Sequence, residues 1–348
     1  MGRRVLVTGL GTFWGGRVAQ ALEKDPDVDV IVGLDTREPS VELDRTEFVR
    51  ADESYSILAR LVKAARIDTI LHTILAVDST GLGPRAVHET NVIGTMNLLA
   101  AASAAGSTVK SVIVKSSTQV YGSNPQDPAW FREETPRSRA PRTQVEASLL
   151  EVEGYLRDFS DDNEDVAVTV LRFSNVLGPD IVTPLRSALE LPIVPSILGY
   201  DPRIQFVHED DVVRSLLFVL EREIAGVFNV AGDGVLPWSE VAHLCGKRTL
   251  PLPPMGTGLA ARALKLLGGC DLPPEAIEVL RHGRGVDTRR LRRLGFRYDH
   301  TSAGAVVDFW QSVRLRQTVG DVEPTYRYER DVEAFFRHSP AVVHEPEA

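Results

Sequence analysis

Cysteine is scarce in this sequence, because Cys245 and Cys270 are the only two among 348 residues. Two thiols at this spacing form neither a disulfide framework nor a metal-ligand set, and they are typical of a reducing, cytoplasmic compartment. Lysine is also rare, with six among 39 basic residues, and the net charge is −9. Since nucleic-acid backbones are bound by clustered lysine and arginine, this charge argues against a nucleic-acid partner.

Long hydrophobic runs are missing as well. No stretch reaches the ~18 apolar residues of a membrane span, so no transmembrane helix is expected. The apolar start at Val5 is short and is interrupted by glycines, so no secretory signal is expected. Hydrophobic residues make up 43% and charged residues 25%, as in ordinary globular proteins. The length predicts one large domain with a smaller lobe.

Strand and helix signals alternate through the first two thirds of the chain. Short apolar runs predict strands at 5–8, 28–34, 47–50, 69–73, 111–115, 166–173 and 227–230. Helical periodicity predicts helices at 54–65, 84–105, 144–159 and from 209 to 220. Continuous apolar strands separated by helices indicate a doubly wound, parallel α/β sheet with both faces covered.

After residue 175 proline and glycine become frequent, and this change predicts a second, mostly helical lobe. The expected dinucleotide-binding domain comprises residues 1–175, with 204–231 contributing late elements of the sheet. The expected substrate lobe comprises 176–203 and 232–340, and 341–348 form a tail.

A glycine-rich stretch from Gly9 to Gly15 follows the first strand and precedes a helical pattern. A helix N-terminus offers unpaired N–H groups and a partial positive charge, and glycines let a pyrophosphate approach the backbone. Asp35 ends the second strand, 20 residues after Gly15. An acid there accepts hydrogen bonds from both ribose hydroxyls and repels a 2′-phosphate, which predicts NAD. Arg37 keeps NADP open as the alternative.

The order of motifs resembles that of the extended short-chain dehydrogenases/reductases, which include nucleotide-sugar epimerases and dehydratases. The resemblance covers about residues 3–235, with a weaker echo to about 310. It rests on segments that resemble T-G-x-x-G-x-x-G at 8–15, N-V-x-G-T at 91–95, S-S-x-x-V-Y-G at 116–122, L-R-x-x-N-V-Y-G-P at 171–179 and F-I-H-V-D-D-V at 206–212. In addition, Phe228-Asn229-Val230 with Gly232 resembles the late Y-N-I-x-x-G turn.

This resemblance implies a nicotinamide dinucleotide, with Asp52 meeting the adenine and Thr73 to Leu75 passing the ribose. The implied cofactor residues are Gly9, Gly11, Thr12, Phe13, Trp14, Gly15, Asp35, Thr36, Asp52, Glu53, Thr73, Ile74, Leu75, Asn91 and Lys115. Thr12 replaces a family glycine, so its side chain either crowds the pyrophosphate or donates to it. Trp14 is interpreted as a core aromatic that contacts the cofactor through its backbone N–H.

The family's Tyr-x-x-x-Lys pair has no counterpart here. Four residues apart on a helix, that pair shares one face, and the ammonium lowers the pKa of the phenol. None of the tyrosines has a lysine four residues later. Ser117 matches the family's catalytic hydroxyl, while Thr143 falls in the tyrosine slot and Ala147 in the lysine slot. Replacement of the pair by Tyr121 or by a carboxylate such as Glu146 remains an alternative.

On the substrate side, the resemblance implies roles for Asn175 and, in an offset register, Arg203. The predicted function is an NAD-dependent oxidoreductase acting on a small polar or nucleotide-linked molecule. The alternative is a non-catalytic regulatory or sensor protein that binds the dinucleotide without turnover. The resemblance also implies a possible homodimer through the helices at 90–105 and 144–159, and no metal is expected.

Overall fold

A parallel sheet of seven strands is the centre of the computed structural model, which describes residues 2–266 and 269–319. The strands are β1 (Arg3–Thr8), β2 (Val28–Asp35), β3 (Thr46–Arg50), β4 (Thr69–His72), β5 (Ser111–Ser117), β6 (Ala167–Phe173) and β11 (Gly226–Val230). Their order in the sheet is β11-β6-β5-β4-β1-β2-β3, so successive strands are added on one side of β1 up to β3 and on the other side from β4 onward. The predicted doubly wound α/β fold is therefore confirmed.

Helices cover both faces of the sheet because alternate strand residues are apolar on each side. One face packs against α2 (Tyr55–Ala64), α3 (Pro84–His88), α4 (Gly94–Ala102) and α5 (Gln144–Asp162). The other face packs against α1 (Phe13–Leu22) and α7 (Glu209–Glu221). The helix predicted over 84–105 contains a π-helical turn (Glu89–Ile93) between α3 and α4.

A second hydrophobic core lies beyond β6 and is built around Phe206, Trp238 and Phe309. Its elements are β7 (Asn175–Leu177), α6 (Pro184–Glu190), β8 (Ile193–Ile197), β9 (Arg203–Ile204), β10 (Phe206–His208), β12 (Leu236–Pro237), α8 (Trp238–Leu244), β13 (Arg248–Leu252), α9 (Thr257–Leu266), α10 (Pro274–His282), α11 (Arg289–Arg293) and α12 (Ser302–Val319). The pairing of β8 with β13 was not predicted from the sequence. The predicted tail at 341–348 lies outside the described residues.

The carboxyl ends of β1, β2, β4 and β5 meet at one edge of the sheet, because all four strands are parallel. In open α/β sheets, ligands bind outside the carboxyl ends where the strand order reverses. The glycine-rich turn follows β1, at that point. No helix in the described part of the chain has the length and apolar character needed to cross a membrane.

Candidate active site

The turn between β1 and α1 is held closed by Thr12. Its Oγ1 donates to the carbonyl of Gly9 at 2.6 Å and accepts from the amide of Gly15 at 3.1 Å, so Thr12 caps α1. A Cβ on Gly15 would lie 2.1 Å from the Gly9 oxygen, so only glycine fits there. The hydroxyl of Thr12 therefore makes bonds within the turn.

Two amides at the start of α1 remain available for a ligand. Among the described residues, no acceptor lies within hydrogen-bond distance of the backbone N–H of Phe13 or Trp14. A helix N-terminus with free amides attracts phosphate oxygens. Phe13 and Trp14 pack edge to face, and Trp14 is buried. Phe13 and Trp14 thus lie at the start of α1 with their backbone N–H groups free to bind a ligand.

Asp35 lies at the end of β2 and is buried beside the turn. Its carboxylate accepts from the amide of Gly11 at 3.0 Å and from the amide of Arg37 at 2.9 Å. Thr36 Oγ1 lies 3.5 Å from the same carboxylate. An ionised carboxylate has about four acceptor positions, so Asp35 retains capacity for ribose hydroxyls.

Glu53 is a buried acid that follows Asp52 after β3. Its Oε1 has no hydrogen-bond partner among the described residues and lies 4.0 Å from Nδ1 of His72. Burial raises the pKa of Glu53 to about 8, and the nearby Asp35 and Asp52 carboxylates raise it further. Burial lowers the pKa of His72 to about 3, so this imidazole is neutral. Glu53 is thus a carboxylic acid that keeps its proton at neutral pH.

The loop after β4 closes against the glycine turn. Thr73 Oγ1 donates to the carbonyl of Thr8 at 2.8 Å, and a Cβ on Gly9 would lie 2.7 Å from Cα of Ile74. Asn91 bonds the amide of Ala76 at 2.8 Å and its carbonyl at 2.9 Å. Asn91 therefore holds the loop in place through the backbone of Ala76.

A cavity of about 160 Å³ lies between the end of β5 and the second core. Its walls include Trp14, Lys115, Ser117, Asn175 and Arg284. Ser117 Oγ accepts from the amide of Gln119 at 3.2 Å, which fixes the hydroxyl at the end of the strand. The cavity therefore brings together the predicted residues Trp14, Lys115, Ser117 and Asn175.

The residues in the slots of the missing catalytic pair do not line this cavity. Thr143 is the N-cap of α5, where its Oγ1 accepts from the amide of Glu146 at 3.2 Å. The Glu146 carboxylate is bound by the Arg137 guanidinium. The hydroxyl of Tyr121 is bonded to Asn229, on the α5 face of the sheet. None of these groups reaches the space beside Ser117.

Arg284 is a functional candidate that sequence reasoning missed. The side chain is buried, and it donates to the carbonyl of Gly122 at 2.7 Å and to Ser123 Oγ at 2.9 Å. Burial lowers the pKa of Arg284 to about 10, and no carboxylate of the described residues lies within ion-pair distance. A buried guanidinium without a carboxylate favours an anionic ligand. The available sequence signal was an arginine two residues after the end of the helical pattern of α10.

The predicted residue Arg203 lies outside the cavity, and its side chain is exposed. Its carbonyl accepts from the amide of Arg284 at 3.1 Å, so Arg203 positions the neighbouring arginine through the backbone. Asn175 lines the cavity and donates to the carbonyl of Gln205 at 3.0 Å.

The residues present fit a dinucleotide. The free amides at the start of α1 suit a pyrophosphate, and Asp35 suits a ribose. In the cavity, Ser174 Oγ and Gln119 Oε1 are buried and lack partners among the described residues, so a ligand can satisfy them. Buried polar atoms without partners are uncommon in native structures outside binding sites.

Comparison with known proteins identifies the family. The NAD dependent epimerase/dehydratase family matches residues 5–231. The chain belongs to this family. The match includes the glycine turn, Asp35, Lys115 and Ser117, so the predicted family membership is confirmed. An uncharacterised protein of Mycobacterium tuberculosis is 35% identical over 315 residues, covering 88% of this chain and 83% of the relative.

A second relative has a named activity. The 3-diazoavenalumate denitrifying reductase of a Streptomyces species is 30% identical over 279 residues, covering 76% of this chain and 87% of the relative. Among solved structures, UDP-glucose 4-epimerase of Thermotoga maritima aligns with a TM-score of 0.68, 20% identity and coverage of 91% and 100%. The dTDP-glucose 4,6-dehydratase of Bacillus anthracis, in complex with NAD, aligns with a TM-score of 0.67 and 19% identity. The alignment covers 91% of this chain and 98% of the dehydratase. These two structures share the fold.

Proposed function

We propose that this family member is an oxidoreductase that binds NAD(H) along the carboxyl edge of the sheet. The observation that carries the proposal is the continuous row of groups from Asp35 through the glycine turn to Lys115 and Ser117. A bound nicotinamide supplies hydride chemistry, and the protein supplies orientation and electrostatics. Residues 1–175 with 204–231 are proposed to hold the dinucleotide, and 176–203 with 232–340 the substrate.

The proposed substrate is a small polar molecule that carries an anionic group, such as a nucleotide-linked sugar. Arg284 supports this class, because its buried guanidinium has no carboxylate partner in the described chain. The aligned epimerase from Thermotoga maritima was solved with UDP-glucose. The cavity beside Ser117 is where such a substrate would meet the cofactor.

The alternative is a regulatory protein that binds the dinucleotide without turnover. Its support is the absence of a tyrosine and of a histidine from the cavity walls in the described residues. Loss of a general acid/base typically lowers the rate by ~10²–10⁴. The two functions differ in turnover and share the binding site.

One experiment separates them. Purified protein is titrated with NAD⁺, NADH, NADP⁺ and NADPH, and the complexes are then incubated with nucleotide sugars and with simple carbonyl compounds. Formation of a product supports the enzyme, with loss of reduced-nicotinamide absorbance when a carbonyl is reduced and gain when a hydroxyl is oxidised, and binding without any product supports the sensor. Failure to bind any dinucleotide contradicts both proposals.

Two arginine variants test the substrate site. Arg284→Met is expected to weaken binding of a nucleotide sugar at least tenfold and to change dinucleotide affinity less, because the guanidinium is bonded to Gly122 and Ser123 and lies away from the glycine turn. Arg203→Met is the matched control, since its side chain is exposed and outside the cavity. An equal loss of nucleotide-sugar affinity in both variants would contradict the proposal that Arg284 binds the substrate.

We further propose a cytoplasmic homodimer. Cys245 and Cys270 are buried free thiols, and burial raises the pKa of each to about 11, as suits a reducing compartment. Ile93 and Met96 are exposed apolar residues on the helices that the resemblance implicates in dimerisation. Analytical ultracentrifugation of the protein and of an Ile93→Glu/Met96→Glu variant tests the dimer.

A further inference from the structure

Lys115 is a buried ammonium that no carboxylate of the described residues neutralises within ion-pair distance. Its Nζ lies 3.4 Å from the carbonyl oxygen of Leu75, a long hydrogen bond, and 6.0 Å from the centre of the Trp14 ring. An ammonium in such a place is costly unless a ligand or dipole compensates it. The chain thus maintains a positive charge on the wall of its cavity.

The sheet topology indicates which half of a dinucleotide would lie beside the Lys115 ammonium. Asp35 ends β2 and Lys115 lies near the end of β5, on opposite sides of β1 in the sheet. A dinucleotide crosses such a sheet with its pyrophosphate at the helix that follows β1. With the adenosine ribose at Asp35, the nicotinamide half extends over β4 and β5. Trp14 and Lys115 both line the cavity on that side.

We propose that Lys115 makes the cleft selective for the reduced dinucleotide over the oxidised one. The proposal rests on the dinucleotide site of the proposed function. The oxidised nicotinamide ring carries a positive charge and the reduced ring is neutral, so a buried ammonium repels only the former. In a partly dehydrated cleft, repulsion between two unit positive charges in the same cavity corresponds to roughly a tenfold or greater difference in affinity.

Two carboxylates also line the cavity. The charge of Asp78 stabilises the protonated form of Lys115, but Asp78 is partly exposed, so water screens its carboxylate, which also accepts from the amide of Thr80 at 2.9 Å. Glu275 on α10 is buried and accepts from Ser79 Oγ at 3.0 Å. Arg284 adds a second buried cation. Lys115 is the cationic side chain in contact range of Trp14.

Dissociation constants of NADH and NAD⁺ test the proposal on the full-length protein at pH 7. The wild type is expected to bind NADH at least about tenfold more tightly than NAD⁺. Lys115→Met should bring this ratio close to one, mainly through tighter NAD⁺ binding, and Lys115→Arg should preserve it. Lys110→Met, an exposed lysine on the approach to the same strand, is the control that should leave both constants unchanged.

A pH titration of the wild type needs no variant. Burial lowers the pKa of Lys115 to about 8, so raising the pH from 7 to 9 removes its charge. NAD⁺ affinity should then rise relative to NADH. Glu53 ionises in the same range, but it does not line the cavity that contains Lys115, so its charge is expected to affect both constants alike. Arg284 keeps its charge, since its pKa is about 10.

Equal binding of the two forms by the wild type, or a ratio that Lys115→Met leaves unchanged, would overturn the proposal and leave the dinucleotide site intact. Absence of binding of either form would overturn the proposed function and this preference together.

Discussion

Tyr121 donates its hydroxyl to Oδ1 of Asn229 over 2.8 Å. The hydroxyl oxygen of Tyr121 accepts from Arg172 Nη1 at 2.6 Å, and the Tyr121 ring stacks on Phe131 with 4.6 Å between the ring centres. These contacts join β6, β11 and the turn after β5 on the face of the sheet that α5 covers. Tyr121 therefore stabilises the packing of these strands. Its hydroxyl is hydrogen-bonded to Asn229 and Arg172, outside the cavity that contains Ser117.

Replacement of Tyr121 by phenylalanine should destabilise the protein without affecting its ligand site. The loss of two hydrogen bonds to buried partners is expected to lower the free energy of unfolding by about 1–3 kcal/mol. The NADH dissociation constant should stay within about twofold. Urea unfolding and NADH titration measure the two effects. Tyr155→Phe is the control, because within the described part of the chain the Tyr155 hydroxyl is bonded only to Glu151, on the surface. A catalytic defect with unchanged stability would restore Tyr121 as a proton-transfer group.

Thr12→Ala removes the cap of α1. The lost side-chain acceptor for Gly15 is expected to lower the free energy of unfolding by about 1 kcal/mol. Thr12→Ser retains the oxygen and should be close to the wild type. Dinucleotide binding should persist in both variants, because the amides of Phe13 and Trp14 remain. Abolished binding in Thr12→Ala alone would instead indicate that the hydroxyl contacts the ligand.

Asp35→Asn changes the charge beside the adenosine ribose. NADH affinity should fall about tenfold, and the preference over NADPH should narrow, since a 2′-phosphate no longer meets a carboxylate. Arg37 is exposed next to the site and can then pair with that phosphate. Paired NADH and NADPH titrations measure the change, with Asp165→Asn as an exposed control. A wild type that prefers NADPH would contradict the assigned role of Asp35.

The buried Glu53 predicts a pH-dependent stability. The carboxyl ionises near its ordinary 4.5 in the unfolded chain and near pH 8 in the folded protein. Between these values the folded state binds more protons, so the free energy of unfolding falls as the pH rises. Glu53→Gln should flatten this slope and raise the free energy of unfolding at pH 8 by at least about 1 kcal/mol. Urea unfolding of the wild type and the variant at pH 5 and pH 8 measures this change in the free energy of unfolding.

The control for that series is Glu164→Gln, because Glu164 is exposed and lies after α5. Its pH profile should match the wild type. A Glu53→Gln profile that also keeps the wild-type slope would show that another group governs the pH dependence.

Local sequence patterns were enough to predict the dinucleotide side of the molecule. The glycine turn, Asp35 and Ser117 each follow directly from a buried strand, and parallel strands bring their carboxyl ends to one edge of the sheet. The fold class and the family were predicted on that basis and are confirmed. The pairing of β8 with β13 was missed, because short strands with proline lack a clear period-two pattern.

The substrate side depends on long-range packing, and sequence patterns say little about it. Arg284 reaches Gly122, a residue 162 positions earlier in the chain. Its neighbour Arg203 was predicted instead, because the motif near Phe206 drew attention to that region. Only the folded chain shows which of the two arginines has its guanidinium in the cavity. Roles for Thr143 and Asn175 toward a substrate stay predictions.

Arg284 also limits how the protein can be divided or recombined. The family match ends at residue 231, and Arg284 lies beyond it. Its guanidinium hydrogen-bonds Gly122 and Ser123 in the turn that follows β5. A fragment cut at that boundary would lose one wall of its own cavity and leave Gly122 and Ser123 without their donor. Exchange of this C-terminal portion between homologues would therefore have to transfer the arginine and its acceptors as one unit.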